Sequence, residues 1–147
     1  MRAVSLCCSL LVLVAGCFFG DPAAHRTVLL QLPVTVQTTA NFSASDPGVQ
    51  EALRIVDTVM ASHGVSRDTN APAQNERNMI AIYDIWIATG QKVVSAGPTV
   101  RLERDNLDID FFEFPARRSS PHVRKVCSEI ADALRSRYGH QSVRIVR

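Results

Sequence analysis

Val28, Leu30, Leu32, Val34 and Val36 alternate with Leu29, Gln31, Pro33, Thr35 and Gln37. Period two is the signature of one face of a β-strand, because successive side chains of extended backbone point to opposite sides. A strand patterned this way must join a sheet, and the sheet must have one face covered. Pro33 donates no backbone hydrogen bond, which puts this strand at a sheet edge or puts a bulge at Pro33.

Two segments have the pattern needed to cover such a face. Asp46-Pro47 reads as an N-cap followed by proline in the first helical turn. Val49, Ala52, Leu53, Val56, Val59, Met60 and His63 follow at helical spacing, and Gly64 suits the end of the helix. Ser120-Pro121 repeats the start signal. There Val123, Val126, Cys127, Ile130 and Leu134 form one stripe, closed by Tyr138 and Gly139.

The stretch between the helices reads as a meander. Residues 65–77 are polar, carry Pro72 and form a loop. A long β-rich run covers 79–89, and Gly90-Gln91 makes a two-residue turn. Residues 92–103 return with an interruption at Gly97-Pro98. Arg104-Asp105-Asn106 turns the chain into a strand over 107–114, and 142–146 forms a short last strand. The fold class is α+β: a small, mostly antiparallel sheet with two helices on one face. The order is β-α-β-β-β-α-β, or β-α-β-β-α-β if 92–98 is loop. The shorter order resembles the ferredoxin-like arrangement, although Pro33 weighs against a central first strand.

Ahead of this domain, Met1-Arg2 is followed by an apolar run over 3–15. That is the length of a signal-peptide core and short of the ~20 residues of a membrane-spanning helix. The run ends in Leu13-Val14-Ala15-Gly16-Cys17, which resembles the lipobox of bacterial lipoproteins. The resemblance covers the first 17 residues and carries no information on the domain behind them. It implies cleavage before Cys17, diacylglycerol on its sulfur and acylation, such as by palmitate, of the new amino terminus. The implied organisation is a signal peptide over 1–16, a lipidated anchor and tether over 17–26, and one domain over 27–147. Phe18, rather than Asp, after the cysteine favours the outer membrane by resemblance to Gram-negative sorting rules, with the domain facing the periplasm. The same residues allow an alternative: an ordinary signal peptide cut after Ala24. Once 1–16 are removed and Cys17 is acylated, Cys127 is the remaining thiol and no intramolecular disulfide can form.

The net charge of +2 hides an asymmetry. From Asp21 to Phe114 seven Lys/Arg stand against twelve Asp/Glu; from Pro115 to Arg147 eight stand against two. An exported chain does not meet nucleic acid, so an anionic lipid headgroup or an acidic protein partner is the expected counterpart of the basic end. Arg117, Arg118, Arg124, Lys125 and Arg135 carry it, unless basic and acidic parts face each other within the fold.

No residue set makes a catalytic site, and no metal or cofactor motif is present. Cys127 lies on an apolar helical stripe, where cysteine packs as a small hydrophobe. His122 lies about 140° away from it around the helix. Asp105-Asn106-Leu107-Asp108-Ile109-Asp110 lacks the glycine and distal glutamate of an EF-hand. The stronger signal is a sheet face. If Met79, Ala81, Tyr83, Ile85, Ile87, Leu107, Ile109 and Phe111 point inward, then Ile80, Ile82, Asp84, Trp86, Asp108, Asp110, Phe112 and Phe114 point outward. An open face of aromatics and carboxylates is a partner-binding surface. The leading expectation is therefore a non-enzymatic envelope lipoprotein that binds a protein or lipid. The alternative is an envelope hydrolase or metal-binding protein using Asp84, Asp108 and Asp110, and self-association through the same face is a third reading.

Overall fold

The computed structural model describes residues 23–33, 43–68, 78–84, 86–87, 94–114 and 118–146. In chain order the elements are β1 (Ala24–Gln31), α1 (Pro47–Ser62), β2 (Met79–Ile82), β3 (Trp86–Ile87), β4 (Val94–Glu103), β5 (Asn106–Phe114), α2 (Pro121–Tyr138), a 3-10 turn (His140–Ser142) and β6 (Val143–Val146). All six strands form one sheet in the order β2-β4-β5-β1-β6, with β3 pairing β4 beyond the end of β2. Every pairing is antiparallel.

The class is α+β, as the patterning indicates. Setting β2 and β3 aside, the order β6-β1-β5-β4 with helices after the first and third strands is that of a ferredoxin-like split βαβ. The edge pieces β2 and β3 are the addition to it.

Both helices lie on the same side of the sheet. Val28 and Leu30 of β1, Leu107, Ile109 and Phe111 of β5, Val49, Leu53 and Met60 of α1, and Val126, Ile130 and Leu134 of α2 form one buried cluster. Each such side chain contributes about 1.5–3 kcal/mol relative to exposure. The helices run antiparallel: Tyr138, ending α2, donates to the Gly48 carbonyl at the start of α1 at 2.8 Å. At the other end His63 Nε2, just past α1, lies 2.5 Å from Glu129 Oε2 on α2.

The start of α2 is set by its own sequence. Ser120 Oγ accepts from the Val123 amide at 3.1 Å, with Pro121 in the first turn. The Ser120 amide in turn donates to Glu113 Oε2 at 2.6 Å, tying the end of β5 to the helix. At α1 the Asp46 carboxylate caps nothing in the helix. It accepts from the Ser43 amide at 2.7 Å and so closes the preceding turn.

Three expectations change and one holds. β1 begins at Ala24, so 24–26 belong to the strand and not to a tether, and the strand ends at Gln31. β1 is not an edge strand: it lies between β5 and β6, and its pairing stops before Pro33, so the proline costs no ladder hydrogen bond. The run over 79–89 is two short strands rather than one. The returning strand expected over 92–103 holds from Val94, where β4 starts, and its register shifts between Ala96 and Thr99, at the interruption expected at Gly97-Pro98. Val34, Val36, Ile85 and the Gly90-Gln91 turn lie outside the described residues.

Candidate functional site

Residues directly opposite each other in an antiparallel pair share a face, so the register fixes the composition of the open side. Two cross-strand rows lie there: Thr99, Asp110, Thr27 and Val146, then Arg101, Asp108, Leu29 and Arg144. His25 stands opposite Phe112 in the next row. β5 sets the alternation: Leu107, Ile109, Phe111 and Glu113 are buried, whereas Phe112 and Phe114 are 37% and 41% exposed. Asp108 and Asp110 are half-buried on that same outward side.

The side chains on this face engage one another. Thr27 Oγ1 donates to Asp110 Oδ1 at 2.5 Å. Arg101 Nη1 stands 3.9 Å from the other oxygen of that carboxylate, an ion pair in a partly wet setting. The His25 ring meets Phe112 edge-on with centroids 4.6 Å apart. Together His25, Gly97, Thr99, Arg101, Asp110 and Phe112 line a shallow cavity of about 510 Å³. A side chain at Gly97 would meet the Asp84 carbonyl at 2.2 Å, so the backbone beyond β2 presses on β4 at the rim of this cavity.

Asp108 is the electrostatic oddity. Burial, then the neighbouring charges of Asp110 and Glu103, hold its carboxyl above the usual range, while Arg101 opposes them. Its Oδ1 is buried and accepts no hydrogen bond among the described residues.

Asp108, Asp110, Phe112 and Phe114 thus share the open face. Asp84 is exposed beyond β2, where its amide donates to the Ser66 carbonyl at 2.9 Å. It does not join Asp108 and Asp110: among the described residues no group of three or more His, Cys, Asp or Glu is placed to hold a metal. Trp86 is positioned by its backbone pairing with Ser95, and the direction of its side chain lies outside the described residues. So does Cys17, with all of 1–22. Among the described residues no helix is long and apolar enough to cross a membrane.

Sequence patterning alone missed Thr27, His25, Arg101 and Val146, which come from β1, β4 and β6. The alternation was readable in β1 and β5, but not in β2, where a register shift after Met79 puts Met79 opposite Arg101 on the open side and packs Ile80 against the core, the reverse of the expectation. Nor was it readable which strands lie side by side.

The thiol of Cys127 is fully buried, and burial pushes its pKa up to about 12, consistent with a packing role. His122 stands instead against His63, with ring centroids 5.4 Å apart. Of the basic residues on α2, Lys125 stands 3.8 Å from Glu129 and Arg135 3.0 Å from Asp132, so part of that charge is balanced within the helix. Arg117 lies outside the described residues.

No protein-family model matches this chain, and no curated protein or solved structure does either.

Proposed function

We propose that the chain is a membrane-anchored envelope lipoprotein that works by binding, with the open sheet face as the docking surface for a protein partner. One observation carries the docking surface. Among the described residues the exposed large hydrophobics are Phe112, Phe114 and Val146, and all three stand on the side of the sheet away from the helices. Phe112 and Phe114 at one end of the face, beside the charged rows of Asp108, Asp110, Arg101 and Arg144, have the make-up of a protein interface, where desolvated aromatics give affinity and charges give orientation. The anchor rests on the lipobox resemblance at Leu13–Cys17, which assigns the lipid to Cys17 and the location to the cell envelope.

Two experiments test the halves separately. Cys17→Ser is expected to abolish labelling by a palmitate analogue and to release the domain from the membrane fraction. Unchanged labelling and fractionation would overturn the anchor. For the docking face, affinity capture from the envelope with the parent chain is compared with the Phe112→Ser/Phe114→Ser double variant. Specific partners are expected to be lost while the thermal midpoint holds; retention of every partner sinks the docking reading.

A further inference from the structure

A second cleft, at the opposite end of β1 from Pro33, has a different character. It encloses about 770 Å³ and is lined by Ala23, Ala24, His25, Arg26, Arg118, Ser119 and Arg124. Three arginines therefore border one cleft where the start of β1 meets the start of α2, Arg26 half-buried and Arg118 and Arg124 exposed. Arg26 stands opposite Phe111 in the β1–β5 register, which turns it to the helix side of the sheet. It is half-buried, and its Nε is buried without an acceptor among the described residues. Arg124 is oriented at the rim by donating from Nη1 to the Ser119 carbonyl at 2.5 Å.

No described carboxylate lies within ion-pair distance of Arg26, Arg118 or Arg124. The acid at this end of the sheet, Glu113, has Oε2 engaged by the Ser120 amide. Ser120 Oγ already accepts from the Val123 amide in the first turn of α2, so among the described residues the remaining guanidinium donors, more than the helix start, are what the cleft offers an anion. Like charges gathered in one partly desolvated cleft are unfavourable unless an anion joins them. A guanidinium presents a planar fork of donors matched to a tetrahedral oxyanion, and it binds phosphate with two parallel hydrogen bonds.

We propose that this cleft is a phosphate-binding site formed by Arg26, Arg118 and Arg124. The ligand is the phosphate of a lipid headgroup or of a soluble phosphate compound, two sources with one recognition chemistry. The site rests on the cleft's own residues and depends on neither the lipid anchor nor the sheet face.

The test uses the full chain in neutral detergent. Inorganic phosphate is titrated calorimetrically at constant ionic strength; in a second arm the chain is sedimented with phosphatidylglycerol vesicles and with phosphatidylcholine vesicles. Arg118→Gln removes an exposed guanidinium. Arg26→Lys keeps the charge but loses the fork, so it remains informative if a neutral residue at that position does not fold. Arg54→Gln, on the exposed side of α1, lowers the net charge equally and serves as control. The expected result is a loss of about tenfold in phosphate affinity for Arg118→Gln and Arg26→Lys, with none for Arg54→Gln. A phosphatidylglycerol preference abolished by the same two variants identifies a headgroup as the source. Phosphate binding without that preference identifies a soluble phosphate compound. The proposal is overturned if neither probe binds, or if Arg54→Gln weakens binding as much as the cleft variants do.

Discussion

Tyr83 donates its phenolic hydroxyl to Asp57 Oδ1 at 2.7 Å, and Arg67 engages the same carboxylate through both Nε and Nη2. Asp57 is on α1 and Tyr83 directly follows β2, so this carboxylate fastens the added edge of the sheet to a helix. Burial first, then Asp57, drive the phenol above its ordinary range, so it stays protonated at any working pH. Tyr83→Phe removes one bond and leaves Asp57 paired with Arg67; it is expected to cost about 1 kcal/mol in urea unfolding. Asp57→Ala removes the shared acceptor and leaves the buried hydroxyl and the guanidinium only each other, and is expected to cost more, about 1–3 kcal/mol. Equal costs would mean that the Arg67 pairing adds nothing to the fastening.

Gly97 is required by crowding and not by its own dihedral angles. A Cβ there would fall 2.2 Å from the Asp84 carbonyl oxygen and 2.7 Å from that of Tyr83. Both are backbone atoms, which cannot rotate away as a side chain can. Gly97→Ala is therefore expected to destabilise by about 1–3 kcal/mol, the range for overpacking a tight site. Because Gly97 also lines the cavity beside Phe112, hydrogen exchange should show the loss concentrated in β2, β4 and the cavity rim.

The helices and the hairpin partner β5 were legible because their signals are local. Ser120-Pro121 specifies its helix within four residues, through a hydroxyl that accepts from Val123. The alternation from Leu107 to Phe114 survives in the structure residue for residue. The location of β1 was not legible, because Pro33 is informative only if the strand reaches it, and the pairing ends two residues earlier. Nor could patterning reveal the arginine cleft. Arg26 sits within a stretch that reads as tether, and it meets Arg118 and Arg124 only once β1 is placed beside β5. Sequence separation hides such a site even when each of its residues is plainly basic.

The junction of the helices makes the fold acid-sensitive. Burial, then His63 and Lys125, hold the His122 imidazole below its ordinary value of 6.5, and His63 holds the Glu129 carboxyl below its ordinary 4.5. A pKa depressed on folding means that the unfolded chain binds more protons between the two values, so stability rises with pH there. The His122 contribution is present above pH 6.5 and is lost as pH falls through its lower folded value; Glu129 follows the same sign from pH 4.5 downward. The thermal midpoint is expected to fall on acidification from neutral pH, and His122→Gln should flatten the first part of that fall. A midpoint that holds steady between pH 7 and pH 5 would contradict the assignment of that first part to His122.

Asp108 carries the opposite sign. Its carboxyl is raised above the ordinary 3.8 by burial, then by Asp110 and Glu103, so the folded state holds a proton more readily than the unfolded chain does. Stability is then lost as pH rises through the raised folded value, and the ionised side chain is a burden at neutral pH. Asp108→Asn keeps the shape and removes the charge from a site whose Oδ1 accepts no described hydrogen bond. It is expected to melt above the parent at pH 7, with the gain shrinking as pH falls and gone below the unfolded value of 3.8. A functional carboxylate kept at a cost to the fold should show a second effect: the same substitution would weaken capture of a partner through the open face while strengthening the protein. If the variant melts lower at pH 7, Arg101 across the β4–β5 pair already balances the charge, and Asp108 is structural support for the face instead of part of what it presents.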